Sequence, residues 1–366
     1  MVELLKKSDQ SFNFEDNQNK LNQDFDTSIC KYFFDSNIDS VIKDLSSKGI
    51  RKIGIAFSGG KDSVVLAIQS KYIATRYGIE VHLIHVHHGL YAEADEWVQR
   101  NLKFAERFGF LIHILYVNVP TDTNKGVEAA ARQARYKAIT DKCKELGIGH
   151  VFTGHHIDDQ SETILIRLLR GTGILGIKGI PPKSEIYGIK FHRPWLNSTP
   201  TYNILELIGH ESIKDPSNFD SKYARGAVRN MFDASIASHF PLWQKNVARF
   251  AQVCVEVDEL TRDLAILDAE SVGLIFNQKD DMGKEFASLD LQLFRSLPTR
   301  RQINLIRYIF KELNVLNPTH SKTTEIIRQL NSVHQMGTDR NLNILHENLV
   351  IKLCKGMVVF NKVKGN

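Results

Sequence analysis

A loop rich in serine and glycine is the first stretch whose residue types and spacing could bind a ligand or support a reaction. It consists of Ser58, Gly59, Gly60, Lys61, Asp62 and Ser63. Apolar runs at 53–57 and 64–68 predict a buried strand before the loop and a helix after it. Glycines let the backbone turn tightly, and free N–H groups at a helix start attract anions. The loop is therefore predicted to be a phosphate cradle, although it lacks the Walker A spacing. An ordinary serine–glycine turn is the alternative.

A second stretch, residues 153–163, places acids at the start of a predicted helix. Its candidate site residues are His155, Asp158, Asp159 and Glu162. The acids lie within about one helical turn, so they can converge on one side of the helix. Carboxylates there can hold Mg²⁺, which prefers hard oxygen ligands, or bind a cationic amine and accept its proton. Zinc is a weaker interpretation because no cysteine accompanies the histidines. Ordinary helix capping is the alternative.

Three groups of arginines are candidates for binding phosphate or RNA: Arg132 with Arg135, Arg225 with Arg229, and Arg300 with Arg301. The members of the first two groups lie three or four residues apart, so each pair shares a helix face. Guanidinium groups neutralise phosphate charge and orient it through paired hydrogen bonds. The third group belongs to a basic helix face that can track an RNA backbone. A solvated helix face is the alternative for the first and third groups, and a surface ion pair for the second.

The elements that must position these residues alternate between strand and helix. Strands are predicted at 79–86, 110–117 and 150–153, and helices at 94–108, 127–146 and 158–169. This alternation predicts an α/β fold, an open parallel sheet with helices on both faces. Ligands of such sheets bind beyond the carboxyl ends of the strands. The loop at 58–63 and the acids after residue 153 both follow predicted strands.

The chain is predicted to have three segments. Residues 1–27 are polar and are expected to form a flexible extension, residues 28–238 the catalytic domain, and residues 239–366 a mainly helical α+β domain whose basic helix face suits RNA. Helices are expected there at 239–267, 298–313 and 320–332, followed by short strands at 343–345, 349–353 and 357–361.

Composition sets outer limits on the class of protein. The chain has 366 residues, 42% hydrophobic content and a net charge of +5, which suit a globular protein and an RNA partner. No run approaches a transmembrane span, so no membrane partner is expected. The four cysteines form no CxxC motif, so a zinc site, an iron–sulfur site or a redox pair has no sequence support. A cytoplasmic location is the simplest expectation.

Several motifs in order resemble one enzyme family. They are SGGKDS, HVHHGL, EAAARQARY, TGHHIDDQSET, RLLRGTG, RPWL and DPSNFDSKYARGAVRN. This set is similar to the tRNA(Ile)-lysidine synthetase family of the PP-loop ATPase superfamily, over residues 50 to 235. The sequence departs from the usual family pattern at His87, at Ala224 and at 226–227. The resemblance implies an adenine nucleotide α-hydrolase-like fold.

The resemblance also implies an activity. Members use ATP and Mg²⁺ to adenylate O2 of the wobble cytidine in tRNA(Ile) with anticodon CAU. The ε-amine of L-lysine then displaces AMP to give lysidine, so that the tRNA reads AUA as isoleucine. Residues 58–63 are expected to bind ATP, and the family is consistent with a homodimer.

Roles for single residues follow from this reaction. Asp62 and Asp159 are the expected Mg²⁺ ligands, and the acids at 158, 159 and 162 are expected to bind lysine. His155 is expected to orient groups or exchange protons. Arg132 and Arg135 are assigned to the adenylate phosphate. Arg225, Arg229, Arg300 and Arg301 are assigned to tRNA or phosphate.

Two other functions stay open at this point. A tRNA thiolase of the same superfamily would need a catalytic cysteine near the loop, whereas Cys143 lies within a predicted helix. A nucleotide-sensing RNA-binding protein without catalysis is the rival from another class, although it would not need the acids at 159 and 162. Synthetases of NAD or GMP share the loop but would replace the later motifs.

Overall fold

The computed structural model describes residues 31–89, 93–119, 127–213, 224–232, 236–277, 286–333 and 342–363. The predicted extension at 1–27 and the motif segment at 215–223 lie outside the described residues. Contacts divide the chain into two compact units, Met1–Gln252 and Val253–Asn366. The predicted domain limits at 27 and 238 stay predictions.

The first unit contains a six-stranded sheet in the order β3-β2-β1-β4-β6-β5. All neighbouring strands are parallel except β5, which runs antiparallel to β6 at the edge. This confirms the predicted open, mainly parallel sheet. Its strands are β1 (Lys52–Ala56), β2 (Glu80–His87), β3 (Leu111–Tyr116), β4 (His150–Phe152), β5 (Lys183–Ile186) and β6 (Ile189–His192).

Helices cover both faces of this sheet, as the sequence predicts. Phe152 packs in a core with residues of the first two helices, whereas Val151 packs on the opposite face with Tyr136 and Ile139. Alternate burial along β4 therefore separates two apolar layers. The helices are α1 (Ser36–Ser47), α2 (Lys61–Arg76), α3 (Ala94–Arg107), α4 (Val127–Leu146), α5 (Ile157–Leu169), α6 (Ile174–Ile177), α7 (Asn203–Leu207) and α8 (Ala224–Met231).

The second unit contains a five-stranded antiparallel sheet in the order β7-β8-β11-β10-β9. Its core includes Phe294, Phe310 and Phe360, which confirms an α+β arrangement. The elements are α9 (Trp243–Ser271), β7 (Ile275–Asn277), β8 (Phe286–Asp290), α10 (Leu291–Ser296), α11 (Thr299–Glu312), α12 (His320–Ser332), β9 (Asn343–His346), β10 (Leu349–Cys354) and β11 (Met357–Lys362). Residues of α9 from 253 onward belong to this unit.

Strands β7 and β8 are absent from the sequence-based prediction. They have only three and five residues, which is too short for alternation to stand out. Among the described residues, no helix combines the length and apolar character needed to cross a membrane.

Candidate active site

The loop at 58–63 wraps around the hydroxyl group of Ser63. Its Oγ accepts hydrogen bonds from the amides of Ser58 and Gly59, at 3.2 and 3.1 Å, and donates to the carbonyl of Gly60 at 2.9 Å. The first intrahelical bond of α2 joins the Val64 amide to the Gly60 carbonyl. The amides of residues 61–63 therefore precede the helical ladder, at the position where helices bind anions.

Contacts from neighbouring elements hold the loop in place. Gly59 has φ +84, and a Cβ there would run into the side chains of Asn101 and Ile213. The amide of Ile213 donates to the Gly59 carbonyl at 3.0 Å. His85 Nδ1 lies 2.9 Å from the Phe57 carbonyl. Only glycine fits at position 59, because both its backbone angle and its surroundings exclude a side chain.

The carboxylate of Asp62 faces a tyrosine that the sequence did not point to. The hydroxyl of Tyr202 donates to Asp62 Oδ1 at 2.5 Å, and Lys61 Nζ lies 4.3 Å from the centre of the Tyr202 ring. Burial and then the Asp62 charge raise the pKa of Tyr202, so the phenol keeps its proton and remains a donor. Tyr202 thus contacts the two charged residues of the loop. It lies outside every motif, and no sequence signal would have found it.

The start of α5 meets the same carboxylate through His156. The amide of Asp158 donates to His156 Nδ1 at 3.3 Å, and the His156 amide donates to Asp159 Oδ2 at 3.1 Å. This reciprocal arrangement is a capping box. The other ring nitrogen, Nε2, lies 3.6 Å from Asp62 Oδ1 and 3.8 Å from Asp159 Oδ2. The residue that caps α5, His156, therefore also lies between Asp62 of the loop and Asp159 of α5.

His155 lies beside this cluster with its Nδ1 at 2.8 Å from the hydroxyl of Thr153. Burial lowers the pKa of His155 to about 4, although the charge of Asp159 opposes the shift. The imidazole is consequently neutral at pH 7 and can accept a hydrogen bond. A neutral imidazole suits the predicted role of orienting neighbouring groups.

The acids of α5 and the arginines of α8 form ion pairs. Arg229 Nε donates to Glu162 Oε1 at 2.7 Å, and Arg225 Nε lies 3.3 Å from Glu162 Oε2. Arg225 also approaches Asp159 Oδ1 at 3.9 Å. These acids are predicted from the sequence to bind lysine and these arginines to bind tRNA or phosphate, but in the structure they pair with each other. The ion-pair alternative for the arginines is thus observed, with a buried rather than a surface carboxylate.

The pKa values of Glu162 and Asp159 shift in opposite directions. Burial raises the pKa of Glu162, while the hydrogen bond from Arg229 acts against it. Burial also acts to raise the pKa of Asp159, but His155, His156 and Arg225 outweigh it and lower the value. Glu162 Oε2 is buried and accepts no hydrogen bond from the described residues. Asp159 is therefore an ionised carboxylate, and Glu162 keeps one oxygen for a further donor.

Arg132 and Arg135 both lie on α4 near the ring of Tyr136. Arg132 donates to the Tyr136 hydroxyl at 3.2 Å, and the two guanidinium carbons lie 4.9 and 5.8 Å from the Tyr136 ring centre. Arg132 is also one of the charges that lower the pKa of His155. Both guanidinium groups thus lie near the Tyr136 ring, and the role of Arg132 and Arg135 in binding phosphate stays a prediction.

Arg300 and Arg301 belong to the second unit and differ from each other. Arg301 forms a hydrogen-bonded ion pair with Asp268, whose side chain is fully buried. This bond raises the pKa of Arg301. Arg300 is exposed on α11. Pairing with Asp268 favours a structural part for Arg301, and contact of either arginine with tRNA stays a prediction.

Asp62 and Asp159 are suitable ligands for a magnesium ion that would also bind phosphate oxygens. Among the described residues, no three His, Cys, Asp or Glu side chains form a group that could hold a metal ion. Asp62 and Asp159 nevertheless converge on His156 Nε2. Magnesium commonly takes one or two carboxylates and completes its octahedron with water and phosphate oxygens. Two carboxylates beside a phosphate-binding loop meet this requirement.

Comparisons with known proteins agree with the fold and with the loop. Residues 32–234 match the family model of the PP-loop domain, and residues 289–352 match the model of the TilS substrate binding domain. The chain is therefore an ATP-using enzyme of the PP-loop class. A solved U34-tRNA thiolase of Methanococcus maripaludis aligns at a TM-score of 0.48 and 17% identity, covering 60% of this chain and 78% of that one.

Curated relatives narrow this class to one family. The tRNA(Ile)-lysidine synthase of Bordetella pertussis is 35% identical over 314 residues, which cover 84% of this chain and 95% of that protein. Its counterpart from Bordetella parapertussis is 34% identical, with 84% and 88% covered. The chain belongs to the tRNA(Ile)-lysidine synthase family, which confirms the resemblance found in the motifs.

Proposed function

We propose that this protein uses ATP to join lysine to C2 of the wobble cytidine in tRNA(Ile) with anticodon CAU, forming lysidine. Family membership supports the reaction class. The observation that carries the proposal is the convergence of Asp62, from the loop, with Asp159, from α5, on one nitrogen of His156. A phosphate cradle and a carboxylate cluster thereby share one site, as a reaction that couples ATP cleavage to amine transfer requires.

The first step adenylates the base. Amides at 61–63 bind phosphate, and Lys61 supplies a positive charge beside them. O2 of the cytidine forms a bond to the α-phosphorus while the bond to pyrophosphate breaks. Asp62 and Asp159 would hold Mg²⁺, which offsets phosphate charge when it is bound. Arg132 and Arg135 are proposed to contact the adenylate phosphate.

The second step transfers lysine. Its ε-ammonium must lose a proton before the amine attacks C2, after which the bond from C2 to the oxygen carrying AMP breaks. Asp159 is ionised and can hold the ammonium group or take its proton. Asp158 belongs to the same helix cap, since its amide donates a hydrogen bond to His156 Nδ1. Glu162 Oε2 accepts no hydrogen bond from the described residues, although Arg225 lies 3.3 Å from it, while Oε1 accepts a hydrogen bond from Arg229.

Recognition of the correct tRNA extends beyond this site. We propose that Arg225 contacts phosphate or the target nucleotide, since its side chain is 42% exposed while it pairs with Glu162. Arg229 is 22% exposed and is proposed to support the same contact. The second unit is proposed to read the acceptor stem and so to reject the methionine tRNA. Exchanging acceptor-stem pairs between the two tRNAs and measuring lysine transfer tests this role, and unchanged discrimination would refute it.

The choice of CAU anticodon and lysine, the homodimer and the cytoplasmic location are further parts of the proposal. The most direct test measures ATP–pyrophosphate exchange with and without tRNA, followed by incorporation of labelled lysine beside other amino acids. Exchange that requires tRNA and incorporation restricted to lysine support the synthetase. ATP binding without turnover would instead identify a nucleotide sensor.

A thiolase would transfer sulfur in the same assay and leave lysine free. Burial raises the pKa of the Cys143 thiol to about 12, so this thiol is a packed side chain rather than a nucleophile. The structure of the described residues therefore offers more support for amine transfer than for sulfur transfer.

A further inference from the structure

A cavity of about 530 Å³ lies between α1 and the β4–β6–β5 edge of the sheet. None of its lining residues belongs to the site described above. Five of them carry basic side chains: Lys48, Lys183, Lys190, His150 and His192. Such a concentration of basic groups around a concave site is typical of anion binding.

Two histidines at this cavity share a single hydrogen bond. His150 Nδ1 lies 2.9 Å from His192 Nε2, and the His192 residue is only 4% exposed. The remaining ring nitrogen of His192, Nδ1, is buried and has no hydrogen-bond partner among the described residues. A buried polar atom left unpaired beside a cavity indicates that a ligand or an ordered water completes the site.

The charges around the pair are not balanced. Lys48 pairs with Asp44 at 2.7 Å, but Lys183 and Lys190 have no ion-pair partner in the described parts of the chain. Glu185 is the other acid at the cavity, so three lysines face two carboxylates. The excess positive charge lies beside the histidine pair.

The lysine charges affect the pKa values of both histidines. Burial, together with His150, Lys183 and Lys190, lowers the pKa of His192 to about 4, while Asp44 opposes the shift. Burial followed by Lys190, Lys48 and Lys183 also lowers the pKa of His150, again against Asp44. Both rings are thus neutral at pH 7 without a ligand, and their protonation is held back partly by lysine charge.

We propose that this cavity binds a phosphate group, carried either by RNA or by a small phosphorylated molecule. Lys183 and Lys190 supply the charge, and the His150–His192 pair, whose His192 Nδ1 has no hydrogen-bond partner among the described residues, supplies the hydrogen bonding. The inference does not depend on the proposed ligase reaction, because no residue of the cavity takes part in that site.

Binding of an anion at this place is coupled to protons. A bound anion offsets the lysine charges, so it raises the pKa of His150 towards the ordinary value of 6.5. Binding then takes up a proton, and affinity must increase as the pH falls below that value. Sulfate is a suitable probe, since its own charge does not change in this range.

The test follows the ring carbon Cε1 of His150 by NMR in the full-length protein with ¹³C-labelled histidine. His150→Gln identifies the signal, which separates this cavity from the loop at 58–63. Titration with sulfate should shift the signal to saturation, with tighter binding at pH 5.5 than at pH 7.5. The variant with Lys183→Gln and Lys190→Gln should bind sulfate about tenfold more weakly, as expected for two screened charge contacts.

Lys43→Gln is the matched control, because Lys43 is exposed on α1 and does not line the cavity. Its sulfate affinity should equal that of the wild type. A shift that does not saturate, or one that the double lysine variant leaves unchanged, would overturn the proposal.

Competition then distinguishes the sources of phosphate. Displacement of sulfate by tRNA at micromolar concentration supports an RNA strand as the ligand, whereas displacement by AMP or inorganic phosphate alone supports a small molecule. Failure of all of these to displace sulfate would overturn the proposal.

Discussion

The hydroxyl of Tyr202 donates a hydrogen bond of 2.5 Å to Asp62 Oδ1, across 140 residues of sequence. The same ring lies over Lys61. One aromatic side chain thus contacts both charged residues of the phosphate loop and helps to orient them. Orientation in advance lowers the cost of assembling the site when ATP arrives.

Tyr202→Phe should slow tRNA-dependent pyrophosphate release about tenfold, because a hydrogen bond to a charged group contributes about 1.5 kcal/mol. The ring, and with it the contact to Lys61, is retained. Tyr187→Phe is the control, since Tyr187 is half exposed on the turn between β5 and β6. Equal rates for both variants and the wild type would show that the Tyr202 hydroxyl does not position Asp62.

Gly59→Ala should abolish measurable ATP binding, because the new methyl group meets Asn101 and Ile213 and forces the loop to move. Gly78→Ala provides the control. Gly78 also has positive φ, +61, but a Cβ there meets no atom within 4 Å. That variant should lose about 1 kcal/mol of stability from backbone strain alone and bind ATP normally. Calorimetric ATP titration and urea unfolding measure the two effects. Wild-type ATP affinity in Gly59→Ala would contradict the packing of the loop.

Arg301→Met should lower the urea midpoint of unfolding, because it leaves the buried carboxylate of Asp268 without its partner. Arg300→Met should not, since Arg300 is exposed. If both variants keep the wild-type midpoint and both weaken tRNA binding equally, the structural assignment of Arg301 is wrong.

The low pKa of His155 predicts a pH dependence of stability. The unfolded chain protonates this histidine below its ordinary pKa of 6.5, but the folded protein does so only near pH 4. Unfolding therefore takes up a proton between these values, and this contribution to stability is lost as the pH falls from 6.5 to 4. Its slope is at most about 1.4 kcal/mol per pH unit.

His155→Gln should remove this part of the pH dependence, as measured by urea unfolding at pH 7 and pH 5. His320→Gln, which changes an exposed histidine at the start of α12, should retain it. A His155→Gln variant with the full wild-type loss of stability would show that His155 titrates normally in the folded state.

Local patterns predicted much of the fold. The helix at 127–146 matches α4 residue for residue, because a run without glycine or proline ends there at Gly147. The first four strands were also predicted to within one or two residues. Strands β1, β2 and β4 are largely buried, so apolar residues concentrate in short segments there.

Contacts between distant segments were not predictable in the same way. The pairing of Glu162 with Arg229 joins residues 67 positions apart, and each had been assigned a ligand of its own. The bond from Tyr202 to Asp62 depends on where α7 packs against α2. The role of His156 as both cap and bridge likewise depends on the distance between the loop and α5, which a sequence does not contain.

The central claim is that Asp62 and the α5 acids form one site for adenylation and lysine transfer. Asp62→Asn keeps the size of the side chain and removes its charge, and Asp141→Asn on the exposed face of α4 is the control. The decisive measurement is tRNA-dependent pyrophosphate release from ATP, with labelled lysine incorporation followed in the same reaction. We expect Asp62→Asn to lose at least about 30-fold in pyrophosphate release, since removing one member of a charge pair costs about 2 kcal/mol or more, and Asp141→Asn to match the wild type. Pyrophosphate release at the wild-type rate in Asp62→Asn would contradict the account.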